Sequence, residues 1–232
     1  MIDVRRARDR FHTEIGWLDS WHSFSFSSHY DPANVGHGLL LVSNDDRVAA
    51  GQGFGTHAHQ DMEIVTWVLE GALAHQDSAG HSGVITPGVA QRMSAGSGIR
   101  HSEMNASTDE PVHFVQMWVE PDTRGIEPGY EQVDISERLQ PGELVPVASG
   151  QGHEGAVHLH QAGAVLWAAR LDEGDTVTVP QALHVHVFVA RGSARLSTVD
   201  LDEGDAVRLS DEPEQELTAT ADDTEVLVWA TA

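Results

Sequence analysis

The chain has 232 residues, 36 acidic and 13 basic side chains, a formal charge of -23 and no cysteine. Disulfides, thiolate metal sites and cysteine nucleophiles are therefore excluded, and any metal must sit on histidine, carboxylate and water. Every basic residue is an arginine, which excludes lysine Schiff-base chemistry and a phosphate-loop lysine, and the acidity argues against direct binding to nucleic acid.

The N-terminus, "MIDVRRARDRFHTEIGW", interrupts its arginines with acids and leads into no apolar segment of signal-peptide type. No apolar run approaches the ~20 residues that span a bilayer. A soluble, cytoplasmic protein is the expectation. Turn signals then recur at short intervals: "SNDD" at 43–46, "AAGQG" at 49–53, "SAGHSG" at 78–83, "TPG" at 86–88 and "SAGSG" at 94–98. Between them lie short alternating or β-branched runs, among them "HGLLLVS", "MEIVTWVLEG" and "PVHFVQMWVE". This rhythm predicts an all-β sandwich or barrel. The stretch 120–155 is rich in Pro, Gly and acids and reads as a link, with "SERLQPGEL" good for one helical turn at most. Beyond it come "AVLWAARL", "TVTVP", "HVHVFVARG", "ARLSTV" and "EVLVWATA". An internal echo, "LDEGDTVTV" at 171–179 and "LDEGDAVRL" at 201–209, predicts stacked hairpins of a second barrel.

The chemistry concentrates in "GFGTHAHQDMEIV", residues 53–65. A strand places residues i and i+2 on one face, so His57 and His59 converge if this segment is extended. The same holds for His101 and Glu103 in "GIRHSEMN". Two such strands can offer three imidazoles and one carboxylate to a single ion, a set that suits Fe(II) and also Mn, Ni, Cu or Zn. Glycines at 51, 53 and 55 fit a bulge or a close backbone approach beside it. Glu63, four residues beyond His59, is a competing carboxylate. The pairs His158/His160 and His184/His186 repeat the spacing without a following carboxylate or a matching second element, and read as alternating strand histidines. Gln116 shares a strand face with Phe114 and Trp118 and is placed in the pocket.

"GQGFGTHAHQDME" followed by Gly71 resembles the first cupin motif, with one extra residue between Glu63 and Gly71, and "GIRHSEMN" resembles the second. More narrowly, "WHSFSFSSHYDP", "GFGTHAHQDMEIVTWVLEG", "HQDSAG" and "MSAGSGIRHSEMN" are similar to the pirin family over roughly residues 15–130. The resemblance implies a bicupin: two facing antiparallel β-barrels, residues 1–130 carrying a mononuclear metal and residues 131–232 a degenerate, metal-free cupin. It implies His57, His59, His101 and Glu103 as ligands, most often to Fe(II), with Glu63 moved to a second-shell or pocket position. For function it implies quercetin 2,3-dioxygenase activity, in which O2 opens the central ring of a flavonol with loss of carbon monoxide. The 3-hydroxyl proton needs a base within hydrogen-bond reach, for which Glu103 is the candidate and Glu63 the reserve. The alternative it implies is a metal- or redox-dependent regulator that binds a partner protein.

Overall fold

The computed structural model describes residues 1–232. Its two halves have one plan. In the N-terminal half a seven-stranded sheet runs in the order Gly129–Asp134, Val89–Ser94, Glu63–Glu70, Val112–Val119, Leu40–Val48, Leu18–His22, Phe11–Ile15. It faces a four-stranded sheet in the order Gly53–His59, Ile99–Asn105, Leu73–Asp77, Ser82–Ile85. In the C-terminal half the seven strands run Ile2–Arg5, Ala206–Ser210, His184–Arg191, Thr224–Thr231, Ala164–Leu171, Val145–Ser149, Val157–His158. The matching four are Thr176–Val179, Gln215–Ala219, Ser193–Leu196, Val199–Asp202. Both halves are thus jelly-roll sandwiches with open sheet edges, the all-β bicupin plan that the resemblance implies. No helix is long and apolar enough to cross a membrane.

The two seven-stranded sheets pack on each other. One 24-residue core joins Val65, Trp67, Val115 and Met117 of the first half to Leu166, Ala168, Leu227 and Trp229 of the second. Each large sheet is therefore buried on both faces, which is why its central strands read as almost unbroken apolar runs. Each fully buried side chain of this kind contributes ~1.5–3 kcal/mol. The indole of Trp67 also reaches across and donates to Glu225 at 2.6 Å.

Several local expectations change in three dimensions. Ile2–Arg5 pairs with Ala206–Ser210, so the first strand completes the sheet of the second half. The stretch 120–155 is more than a link, because Gly129–Asp134 pairs with Val89–Ser94 and Val145–Ser149 with Ala164–Leu171. The "SNDD" segment is no turn. It lies inside the buried strand Leu40–Val48, where Asn44 bonds His22, Asp46 accepts from Ser20, and Asp45 accepts from Arg10. Distant partners satisfy these polar groups, and tertiary context overrides their preference for turns. The two "LDEGD" segments do share one turn, each aspartate side chain accepting from the backbone N–H three residues earlier. Their strands nonetheless sit in opposite sheets of the half instead of stacking.

Candidate metal centre

Strand pairing brings the histidines together. His101 lies directly across from His57 on one side and from Asp77 on the other, and Glu103 lies across from His75. Between the His101/His57 and Glu103/Phe54 pairs the strand 53–59 carries one extra residue. This bulge turns the backbone, and the Gly55 carbonyl accepts from His57 Nδ1 at 2.8 Å. That bond places the remaining lone pair on Nε2, the arrangement metal-ligating imidazoles adopt. Gly53 permits the approach of the strands: a Cβ there would stand 2.3 Å from the Glu103 carbonyl oxygen.

Donor atoms of His57, His59 and His101 all lie within 4.8 Å of one another. His101 Nε2 is 4.0 Å from Glu103 Oε2. Two donors bound at ~2.1 Å to one ion stand at most ~4.2 Å apart, so slight closure suits the three imidazoles, and Glu103 is already within that span of His101. The chemistry fits as well. Nε2 of His59 and Nε2 of His101 are buried without any hydrogen-bond partner, a condition that native interiors rarely tolerate unless something else binds there. Burial, and then the neighbouring His57, pushes His59 down to about 4. Burial, followed by His57 and His59, pushes His101 down to about 3. Both are neutral at ordinary pH, the form in which an imidazole can bind a metal.

Glu103 is held in place by Gln116, whose amide donates to both carboxylate oxygens at 2.8 and 2.9 Å. The orientation of that amide is fixed because the Trp118 indole, a donor only, donates to Gln116 Oε1 at 3.1 Å. Burial nonetheless pushes the Glu103 carboxyl above the usual carboxylate range, against the opposing effect of Gln116. Gln116 lines the cavity beside Glu103.

His75, which received no role from the sequence, forms a second group with His101 and Glu103. Its ring nitrogens are already engaged, at 3.4 Å with His101 Nδ1 and 3.4 Å with Asp77 Oδ2, and Tyr130 stacks on it at 4.8 Å. With the Nε2 lone pair of His101 left free, a proton on Nδ1 points at His75 and the next points at Asp77. This relay would orient the His101 ring toward an ion. "HQDSAG" carried the signal, since His75 and Asp77 also have same-face spacing.

Glu63 departs from expectation. It is fully buried, but on the opposite face of its strand from Thr66, and it accepts from the His160 backbone N–H at 3.0 Å in the second half. The turn between His59 and Glu63, with Asp61 at φ 50°, resets the facing of the strand. Glu63 therefore serves the junction between the halves, not the pocket. His184 and His186 also leave their own sandwich: His186 is buried beside Phe24, while Val185 and Val187 turn inward.

The ligand group opens into a cavity of about 330 Å³, within the ~300–1,000 Å³ typical of small-molecule sites. Its walls include Phe26, Phe54, Trp118, Asn44 and Asp46. Trp118 stands edge-on to His59 at 4.9 Å and to Phe26 at 5.5 Å. A comparable cavity of about 390 Å³ near Arg170 and Arg191 lacks a ligand set, and Arg170 is already paired with Glu225.

Comparison with known proteins gives the chain its relatives. Residues 3–119 match the family described as Pirin, and residues 146–229 match that described as Quercetinase C-terminal cupin domain. A Mycobacterium tuberculosis protein provisionally named quercetin 2,3-dioxygenase is 56% identical over 230 residues, 98% of this chain and 94% of its own. The Escherichia coli protein named quercetin 2,3-dioxygenase is 42% identical over 231 residues, 99% of this chain and 98% of its own. The crystal structure of the bacterial pirin YhhW from Escherichia coli, in complex with nickel(II), superimposes with a TM-score of 0.90 at 39% identity, covering 99% of this chain and 98% of that one.

Proposed function

The chain belongs to the pirin family, and from that premise we propose that it is a metal-dependent dioxygenase that opens the central ring of a flavonol such as quercetin with O2, releasing carbon monoxide. One observation carries the reading: three imidazoles, two of them neutral with orphaned buried Nε2 atoms, converge beside a buried carboxylate at an aromatic-walled cavity. The names borne by the Escherichia coli and mycobacterial relatives support the substrate class. In this reading residues 1–130 carry the chemistry and residues 131–232 form the metal-free half.

His57, His59, His101 and Glu103 would hold one divalent transition metal, Fe(II) by preference, with Mn, Ni, Cu and Zn compatible with the same donors. When bound, the ion supplies a Lewis acid for the flavonol 3-oxygen and access to O2 chemistry. The rest belongs to the protein. Phe26, Phe54 and Trp118 offer apolar and aromatic surface to a flat polyphenol and exclude water from the cavity. Glu103 accepts the 3-hydroxyl proton on a carboxylate oxygen, a role suited to a buried carboxyl whose proton affinity is raised. Gln116, locked by Trp118, presents that carboxylate in one orientation.

Oxygen uptake with quercetin, run on metal-loaded protein beside His101→Ala, tests the proposal. The expected result is one O2 consumed per flavonol at a kcat/KM of roughly 10⁴ M⁻¹s⁻¹ or above, lost in the variant. Very slow turnover together with specific capture of a partner protein would favour the alternative, a metal-dependent regulator.

A further inference from the structure

Arg208 lies in the metal-free half, on the strand Ala206–Ser210, and is only 5% exposed. No carboxylate pairs with it. Its Nη2 instead donates both to the Ser23 carbonyl at 2.9 Å and to Asn34 Oδ1 at 2.7 Å, Nε is buried without a partner, and the guanidinium lies 4.3 Å from the centre of the Phe24 ring. A buried cation held only by dipoles and a ring face is costly, and burial lowers it to about 10. The geometry of its acceptors gives it a purpose.

Ser23 and Asn34 are the two ends of one loop. Asn34 Nδ2 also donates to Ser23 O at 3.2 Å, and the Ser25 N–H to Asn34 O at 2.7 Å. The loop's tip is a tight reversal in which Phe26 and His29 exchange backbone hydrogen bonds at 3.0 and 2.9 Å, with Ser27 at φ 53°. That tip, Phe26 to Ser28, forms part of the cavity wall, and Phe26 meets Trp118, which meets His59. The far end of the loop is tied to the same strand: His37 Nε2 donates to the carbonyl of Leu209, next to Arg208, at 3.0 Å.

We propose that Arg208 is a positioning residue for the pocket of the other half: its Nη2 bridges the two ends of the loop 23–34 and fixes the Phe26–Ser28 wall over the metal group. The planar guanidinium fixes the directions of the two Nη2 N–H bonds, which a freely rotating ammonium does not do with the same rigidity. Arg208 touches neither ligands nor substrate, so its loss should loosen the wall and leave metal binding intact. The effect on turnover rests on the flavonol reading above, whereas the effect on loop order does not.

Hydrogen exchange, metal content and quercetin kinetics are to be measured on the metal-loaded full chain for wild type, Arg208→Met, Arg208→Lys and Asn34→Ala. Losing a charge-assisted hydrogen bond should speed exchange in residues 23–37 roughly tenfold or more in Arg208→Met and Asn34→Ala, with exchange in 53–59 and 99–105 and metal content unchanged. KM for quercetin should rise roughly tenfold by the same loss, with kcat changing much less, and Arg208→Lys should recover part of both effects. Asn34→Ala removes an acceptor on the loop itself, so it decides the matter if Arg208→Met fails to fold. Unchanged exchange in 23–37 in Asn34→Ala, or a loss of metal equal to the loss of loop order, would overturn the proposal. A loosened loop with no quercetin turnover even in wild type would uphold the latch and sink the flavonol reading.

Discussion

Between its two sheets the C-terminal half packs sixteen buried apolar side chains, from Ala169 to Val228, into one core. The same space in the N-terminal half is divided between apolar clusters of eight and four residues, and the cavity wall there carries Asn44, Asp46, Glu103 and Gln116. One architecture thus supports two interiors. The first half holds neutral imidazoles, carboxyls and amides that a folded interior disfavours unless they are paired or bound to something. The second half supplies the continuous apolar burial and, through the shared 24-residue core, stabilises its neighbour.

The contrast yields predictions in descending order of effect. Glu103→Gln should reduce quercetin turnover by roughly 10²–10⁴-fold, the usual contribution of general acid–base catalysis, while the three histidines retain the metal; near-normal turnover with bound metal would remove Glu103 as the base. Leu217→Ala, in the apolar interior of the second half, should destabilise the protein by roughly 2–5 kcal/mol with turnover per folded molecule unchanged, read by denaturant unfolding beside steady-state kinetics.

The third prediction concerns pH. Burial, ahead of the opposing Ser20 hydrogen bond, raises the Asp46 carboxyl to about 7. The folded protein then keeps a proton that the unfolded chain has already released, so stability falls as pH rises from about 4 to 7 and levels off above. In metal-free protein Asp46→Asn should remove a decline of up to about 1.4 kcal/mol per pH unit in that window. It should be nearly neutral near pH 4 and stabilising near pH 7. An unfolding midpoint that tracks wild type at every pH would show that Asp46 carries no such strain.

Much of this was readable in the sequence where one physical rule applied alone. The runs 62–71, 111–120 and 225–232 announced strands because both of their faces are buried. His57, His59, His101 and Glu103 announced a site because strand periodicity puts i and i+2 together. The reading failed where long-range partners decide. Asn44, Asp45 and Asp46 look like a turn until His22, Ser20 and Arg10 arrive to pair with them. Glu63 was placed near the metal because no sequence pattern says which buried face meets the ligands and which meets the other half. His184 and His186 show the same limit from the other side: the spacing that builds a site in one half points away from the interior in the other. Arg208 acts only through residues remote in sequence, so nothing local marked it, whereas His75 shares same-face spacing with Asp77 but meets His101 only in the fold.

Metal stoichiometry tests the central claim most directly, measured after reconstitution with Fe(II) under anaerobic conditions on wild type, His101→Ala and the double variant His184→Ala/His186→Ala. The account predicts one equivalent in wild type and in the double variant, and almost none in His101→Ala. A second equivalent lost with His184 and His186, or full occupancy in His101→Ala, would contradict it.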